Sequence, residues 1–183
     1  MPEQVLYARE PGLLGRFRPL IEATKGLTLA QICAVTGLES STTQNWIKRG
    51  FVPHPVGKKY YERHLARFLL IDALRDGMLL DEIGALLTLV NGDTDDESDD
   101  IITESALYEL FTELTAAAEG LSPASDELES IVREAVAKQD VAEANRPRLE
   151  AALRAMLLAY SSGWFRKEAG SAFRELEAMT KKE

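Results

Sequence analysis

Between Thr28 and Gly50 the chain reads as two short helices, each closed by a glycine, and this pairing constrains the fold more than any other feature of the sequence. Thr28 is a hydroxyl N-cap ahead of Leu29, Ile32, Cys33 and Val35, which are apolar at helical spacing, and Gly37 supplies a stop with positive φ. A second start follows at Ser40 or Ser41 and runs to Arg49, closed by Gly50. Its faces are unlike: Thr43, Trp46 and Ile47 share one side, while Ser41, Gln44, Asn45 and Lys48 fall on the other. Two helices of about two turns around a glycine turn make the helix-turn-helix plan. Cys33, Gly37, Thr43 and Trp46 stand where that plan needs a small residue, a turn and two inward anchors.

The outer face then carries hydrogen-bonding groups at the reach of nucleic acid. Gln44 and Asn45 suit adenine edges, and Lys48 suits guanine or a phosphate. Next comes Phe51 to Tyr61, where Pro53, Pro55 and Gly57 exclude a continuous helix and predict a tight hairpin or short β wing ending in Lys58-Lys59-Tyr60-Tyr61. From Asn45 to Tyr61 every charge is positive. The predicted DNA contacts are Ser41, Thr42, Gln44, Asn45, Lys48 and Arg49 from the second helix, Lys58, Lys59, Tyr60 and Tyr61 from the wing, and Arg63 just beyond it. One tyrosine of the adjacent pair is expected in the core.

A net charge of −9 argues against a nucleic-acid partner until its distribution is considered. Residues 1–92 hold 11 basic and 9 acidic groups, whereas residues 93–183 hold 10 basic and 21 acidic ones. The halves therefore have different jobs: a DNA-contacting N-terminal half, or, as the alternative, a non-enzymatic interaction module whose helix-turn-helix is a scaffold and whose acidic half docks a basic partner.

The rest of the chain reads as helical, so the fold class is all-α, with a winged helix-turn-helix followed by an acidic helical domain. Residues 1–27 form an N-terminal arm or packing helix around Phe17, Leu20 and Ile21; residues 28–90 are the DNA-binding domain; residues 91–102, containing NGDTDDESDD, are a solvated acidic linker; and residues 103–183 are a helical domain for dimerisation or an effector. Within the first domain, Leu65, Phe68, Leu69 and Ala73 make an apolar stripe beside Arg63, Arg67 and Arg75, Gly77 ends that helix, and Leu80 to Val90 forms another. Later helices are expected near 103–119, 124–143, 146–161 and 165–180, with Ser161-Ser162-Gly163 as the last break. The stripes Leu107, Leu110, Phe111, Leu114 and Leu149, Leu153, Met156, Leu157, Tyr160 are core or dimer contact, and Trp164 with Phe165 are candidates to line an effector pocket.

Other chemistries find less support. His54 and His64 lack a partnering cysteine, and no nucleophile with an orienting third group is placed by spacing, so no catalytic role and no cofactor are assigned. Asp93, Asp95, Glu97 and Glu104 match positions of a calcium loop, but Ser98 and Asp100 break the template. The single Cys33 and the lack of an apolar run of roughly 20 residues fit a cytoplasmic, non-membrane protein.

From Ile32 to Leu87 the chain resembles the DNA-binding domain of MerR-type regulators. ICAVTGLESSTTQNWIKRGFV resembles that family's helix-turn-helix, GKKYY its wing, and LLIDALRDGMLLDEIGALL the two helices after it. NWIKRGFVPHPVGKKYYERHLARFLLI more closely resembles an uncharacterised bacterial family of MerR-like proteins, a domain of unknown function. The resemblance implies a transcription regulator that binds double-stranded DNA as a homodimer through a winged helix-turn-helix and answers to an effector. No cysteine follows Cys33, which excludes a thiolate metal sensor.

Overall fold

The computed structural model describes residues 10–122 and 125–180. Residues 1–9 of the expected arm, residues 123–124 at an expected helix start and residues 181–183 lie outside the described residues. The described residues form eight α-helices: α1 (Leu13–Ala23), α2 (Leu29–Thr36), α3 (Ser40–Lys48), α4 (Glu62–Leu74), α5 (Leu80–Asn91), α6 (Glu104–Ala117), α7 (Asp126–Ala137) and α8 (Arg146–Thr180), the last preceded by a 3₁₀ turn at Glu143–Asn145. The all-α class follows.

Local chemistry accounts for the first helices. Thr28 and Gln31 make a reciprocal capping box, the Thr28 Oγ1 accepting from the Gln31 N–H at 3.3 Å and the Gln31 Oε1 accepting from the Thr28 N–H at 2.8 Å. Gly37, at φ 71, returns its N–H to the Cys33 carbonyl at 2.8 Å and ends α2. The cap of α3 is Glu39 rather than a serine, and it makes no side-chain cap bond. Ser40 instead accepts from the Gln44 amide at 3.1 Å, one turn along the helix.

α4 is the central element. Its residues from His64 to Ile71 are buried without interruption, with α6 against it and α1, α2, α5 and α8 around it. One apolar cluster extends from Leu13 of α1 to Ala159 of α8, so the core is continuous across the acidic run. Arg67, expected beside Arg63 and Arg75 at the polar margin, lies in this core at 1% exposure. Its Nε donates to the Phe51 carbonyl at 3.0 Å and its Nη1 to the Asn91 Oδ1 at 3.3 Å.

The acidic run is also placed differently from a free linker. The Thr94 hydroxyl donates to the Gly50 carbonyl at 3.1 Å, Asp95 accepts from the His54 N–H at 3.0 Å, and Arg63 holds both Glu97 and the Thr94 carbonyl. Asn91 closes the turn by donating to the Ile102 carbonyl. The segment is strapped to the loop behind α3 because that loop and the start of α4 offer cations and donors that the carboxylates satisfy.

At the other end, Ser161-Ser162-Gly163 does not interrupt α8, which is 35 residues long. The glycine serves contact instead: a Cβ on Gly163 would lie 2.9 Å from the Asp76 Cβ, and one on Gly77 would lie 1.8 Å from the Ala159 carbonyl oxygen. Helix backbone here meets the turn after α4 directly. Among the described residues, no helix is long and apolar enough to cross a membrane.

Candidate nucleic-acid interface

α3 is fixed by its inner face. Trp46 stacks on Phe68 of α4 with ring centroids 6.2 Å apart, and Thr43 and Ile47 are buried beside it. Ser41, Gln44, Asn45 and Lys48 are consequently exposed together, with Thr42 half-buried at the margin. Lys48 makes no ion pair among the described residues. Arg49 differs: its guanidinium pairs with Asp81 at 2.6 Å and lies 4.6 Å from the Phe51 ring centroid, fastening α3 to the start of α5.

Where the sequence predicts a wing, the backbone makes two isolated antiparallel bridges, Val56 with Lys59 and Leu27 with Tyr60, and no strand forms among the described residues. Gly57 and Lys58 both have positive φ, 57° and 63°, as a two-residue hairpin turn of matching twist requires. Lys58 therefore stands exposed at the tip. Lys59 folds back and donates to the Gly26 and Thr24 carbonyls at 3.2 and 3.4 Å.

Two other expected contacts are corrected by packing. Tyr60 is buried against His64 and Phe68, at centroid distances of 5.6 and 6.3 Å, so it is the core member of the tyrosine pair while Tyr61 remains exposed. Arg63 is turned away into the acidic turn, bonded to Glu97 and to the Thr94 carbonyl and 3.6 Å from Glu104. Trp164 and Phe165, the candidates to line an effector pocket, are both exposed on α8 and pack on each other at 5.0 Å.

The structure adds Lys25. It is exposed at φ 51 in the turn whose flanking carbonyls hold Lys59, so it sits beside the wing. Its signal in the sequence was a Lys-Gly pair just ahead of the Thr28 cap. Free cations thus come from α3, from the wing tip and from the turn before α2.

His64 ties the end of the bridged turn to the loop before it. The Tyr61 N–H donates to its Nδ1 at 2.9 Å, so its Nε2 carries the proton and donates to the His54 carbonyl at 3.1 Å. Burial holds its pKa below the usual histidine value of 6.5. The folded state thus binds fewer protons here than the unfolded chain, and stability is lost as pH falls below 6.5. Asp100 opposes this, because burial followed by repulsion from Glu104 raises its carboxyl to about 7, a contribution lost as pH rises. Denaturant unfolding at pH 7 and pH 5 is expected to show a smaller acid-induced loss in His64→Gln than in the parent; equal losses would remove His64 from the account.

The carboxylates of the calcium-like spacing are dispersed: Asp95 pairs with His54, Glu97 with Arg63, and Glu104 is buried at the start of α6. No group of three or more metal-binding side chains converges among the described residues.

Comparison with known proteins places part of this architecture. Residues 24–111 match a family described as a domain of unknown function, DUF1836. The match begins at Thr24, whose carbonyl anchors Lys59, and ends within α6, so the matched residues take in α2, α3, the bridged turn after them, α4, α5 and the acidic strap. The uncharacterized protein YkrK of Bacillus subtilis (strain 168) is 34% identical over 85 residues, covering 44% of this chain and 36% of that protein. This chain thus aligns with about a third of its curated relative. No solved structure matches it.

Proposed function

We propose that the DUF1836 region binds duplex DNA as a winged helix-turn-helix of the MerR-like kind and that the protein is a transcription regulator. The observation that carries this reading is the outer face of α3, where Ser41, Gln44, Asn45 and Lys48 are exposed together without a carboxylate among them. α3 enters the major groove, with Gln44 and Asn45 reading base edges. Lys58 and Lys25 hold phosphates beside it, and Lys48 reaches either a phosphate or a guanine edge.

Each phosphate neutralised contributes about 0.9 to the slope of log affinity against log salt. Lys48→Ala with Lys58→Ala is therefore expected to weaken binding to every sequence and to lower that slope by up to about 2 in a fluorescence titration with random duplex. Lys59→Ala is expected to change it less, because its ammonium is already bonded to two carbonyls. Asn45→Ala should instead flatten sequence preference, by about 1–3 kcal/mol for a bidentate base contact. Absence of duplex binding by the parent chain even in dilute salt overturns the reading. That result favours a docking surface for a basic protein, which the 21 acidic and 10 basic residues of 93–183 support.

A further inference from the structure

Asp100 ends the acidic run and Glu104 begins α6. Glu104 is 1% exposed, and all four carboxylate oxygens of the two residues are buried without a hydrogen-bond donor. The neighbouring cations are committed elsewhere. Arg63 holds Glu97 and the Thr94 carbonyl and comes no nearer to Glu104 than 3.6 Å, while Arg67 donates to the Phe51 carbonyl and to Asn91. Buried acceptors without a donor are costly, and two neighbouring carboxylates are costlier still when both are ionised. The donor that fits between them is a proton, because a protonated carboxyl donates where a carboxylate only accepts.

The surrounding charges come from three sides. α4 contributes Arg63 and Arg67, α6 contributes Glu104, and the run itself contributes Glu97 and Asp99. The end of α5 contributes neutral Asn91, bonded to Arg67 and to the Ile102 carbonyl. The guanidiniums favour an ionised Asp100 and the carboxylates oppose it. Burial, followed by repulsion from Glu104, decides the balance and raises the Asp100 carboxyl to about 7.

We propose that Asp100 and Glu104 hold one proton between them, and that its loss releases the acidic strap from the loop behind α3. The strap reaches that loop through the Thr94 hydroxyl on the Gly50 carbonyl and through Asp95 on the His54 N–H. An ionised Asp100 escapes burial and Glu104 only by moving toward solvent, which draws the strap off both partners. The closed strap thus keeps a proton that the released one, with Asp100 back at its ordinary value of 3.8, gives up at neutral pH. This contribution to closure is complete below 3.8 and is lost as pH rises through about 7. What the release governs rests on the proposed function, since α3 is the element assigned to the duplex. The release itself does not, and it is measured without nucleic acid.

Amide hydrogen exchange of the full chain, corrected for the intrinsic rate at each pH, reads the release at two places. The His54 N–H is bonded to Asp95 at 3.0 Å, and the Ile101 N–H to the Val90 carbonyl at 2.8 Å. Protection at both is expected to fall about tenfold from pH 6 to pH 8, the change set by carboxyl values of about 7 when closed and 3.8 when released. Both amides should also exchange faster than those of α4, as a local opening requires. Asp100→Asn carries an amide that donates to Glu104 at every pH and should remove the fall. His54 and His64 are present in both chains, so their own titration cancels in that comparison. Glu104→Gln offers Asp100 a fixed donor and should shrink the fall, which keeps the test open if Asp100→Asn does not fold. A level profile in the parent, an equal fall in Asp100→Asn, or strap amides that exchange only together with those of α4 each overturns the inference.

Discussion

Arg67→Met is expected to cost about 3–5 kcal/mol of unfolding free energy at pH 7, the range found when one partner of a buried ionic network is removed. The guanidinium is almost wholly buried and serves three segments at once: it donates to the Phe51 carbonyl in the loop after α3, to Asn91 at the end of α5, and it faces the carboxylates at the start of α6. Burial pulls its pKa down to about 10, and Glu104 and then Asp100 act against that fall, so it stays charged at neutral pH. Methionine fills much of the space but leaves the Phe51 carbonyl and the Asn91 Oδ1 without this donor and takes away one of the two guanidinium groups near Glu104, itself 1% exposed, which Arg63 still approaches at 3.6 Å. The unpaired groups, more than the lost bonds, set the size of the effect.

A second variant separates that cause from simple misfit. Arg67→Met combined with Glu104→Gln removes the buried carboxylate charge as well as one of its two neighbouring cations, and urea unfolding should show it losing less than the single Arg67→Met change. Because Phe51 follows the exposed face of α3, the single variant is also expected to bind duplex more weakly at a temperature where it remains folded. A loss below about 1 kcal/mol would show that water or a neighbouring side chain replaces the guanidinium, and that this network does not hold the helix pair to the body.

Arg67 also shows where sequence reading stopped. A pattern of apolar positions places an arginine at the edge of a stripe, and nothing local distinguishes a solvated guanidinium from one that receives partners 16 and 24 residues away. The α2–α3 pair was legible because its determinants are local: the Thr28 capping box, the positive φ of Gly37 and the three-to-four spacing of Thr43, Trp46 and Ile47. The exposed set on α3 was legible for the same reason. The composition of the acidic run predicts solvation and most of its side chains are exposed, but its attachment was not legible, because Arg63, His54 and the Gly50 carbonyl are brought to it only by tertiary folding. Tyr60 and Tyr61 carried the same signal, and only the bridge to Leu27 decides which one enters the core.

Gly77 and Gly163 do something that their local sequence does not signal. The sequence predicts helix stops at Gly77 and Gly163, which is what glycine usually signals, yet α4 already ends at Leu74 and α8 runs through Gly163. Neither has the positive φ that a stop requires. Their role is the absence of a side chain where two backbones meet.

Gly77→Ala is therefore expected to destabilise the protein by about 3 kcal/mol, at the upper end of what overpacking a core costs. The added methyl would sit 1.8 Å from the Ala159 oxygen, 2.7 Å from its carbonyl carbon and 3.0 Å from the Gly163 nitrogen, all backbone atoms that no rotamer change can move aside. α8 must then shift as a body, loosening Leu153, Met156 and Leu157 from the core. Gly163→Ala makes the informative contrast, because its methyl meets the Asp76 Cβ at 2.9 Å and its carbonyl carbon at 3.1 Å, a lesser conflict. Replacing an interior helix glycine by alanine also gains about 1 kcal/mol of helix propensity, which offsets part of that conflict. Thermal and urea unfolding should thus place Gly77→Ala well below Gly163→Ala, with the latter near the parent. The reverse order would mean that α8 does not seat on the turn after α4 as described, and the direction in which its exposed end leaves the body would change with it.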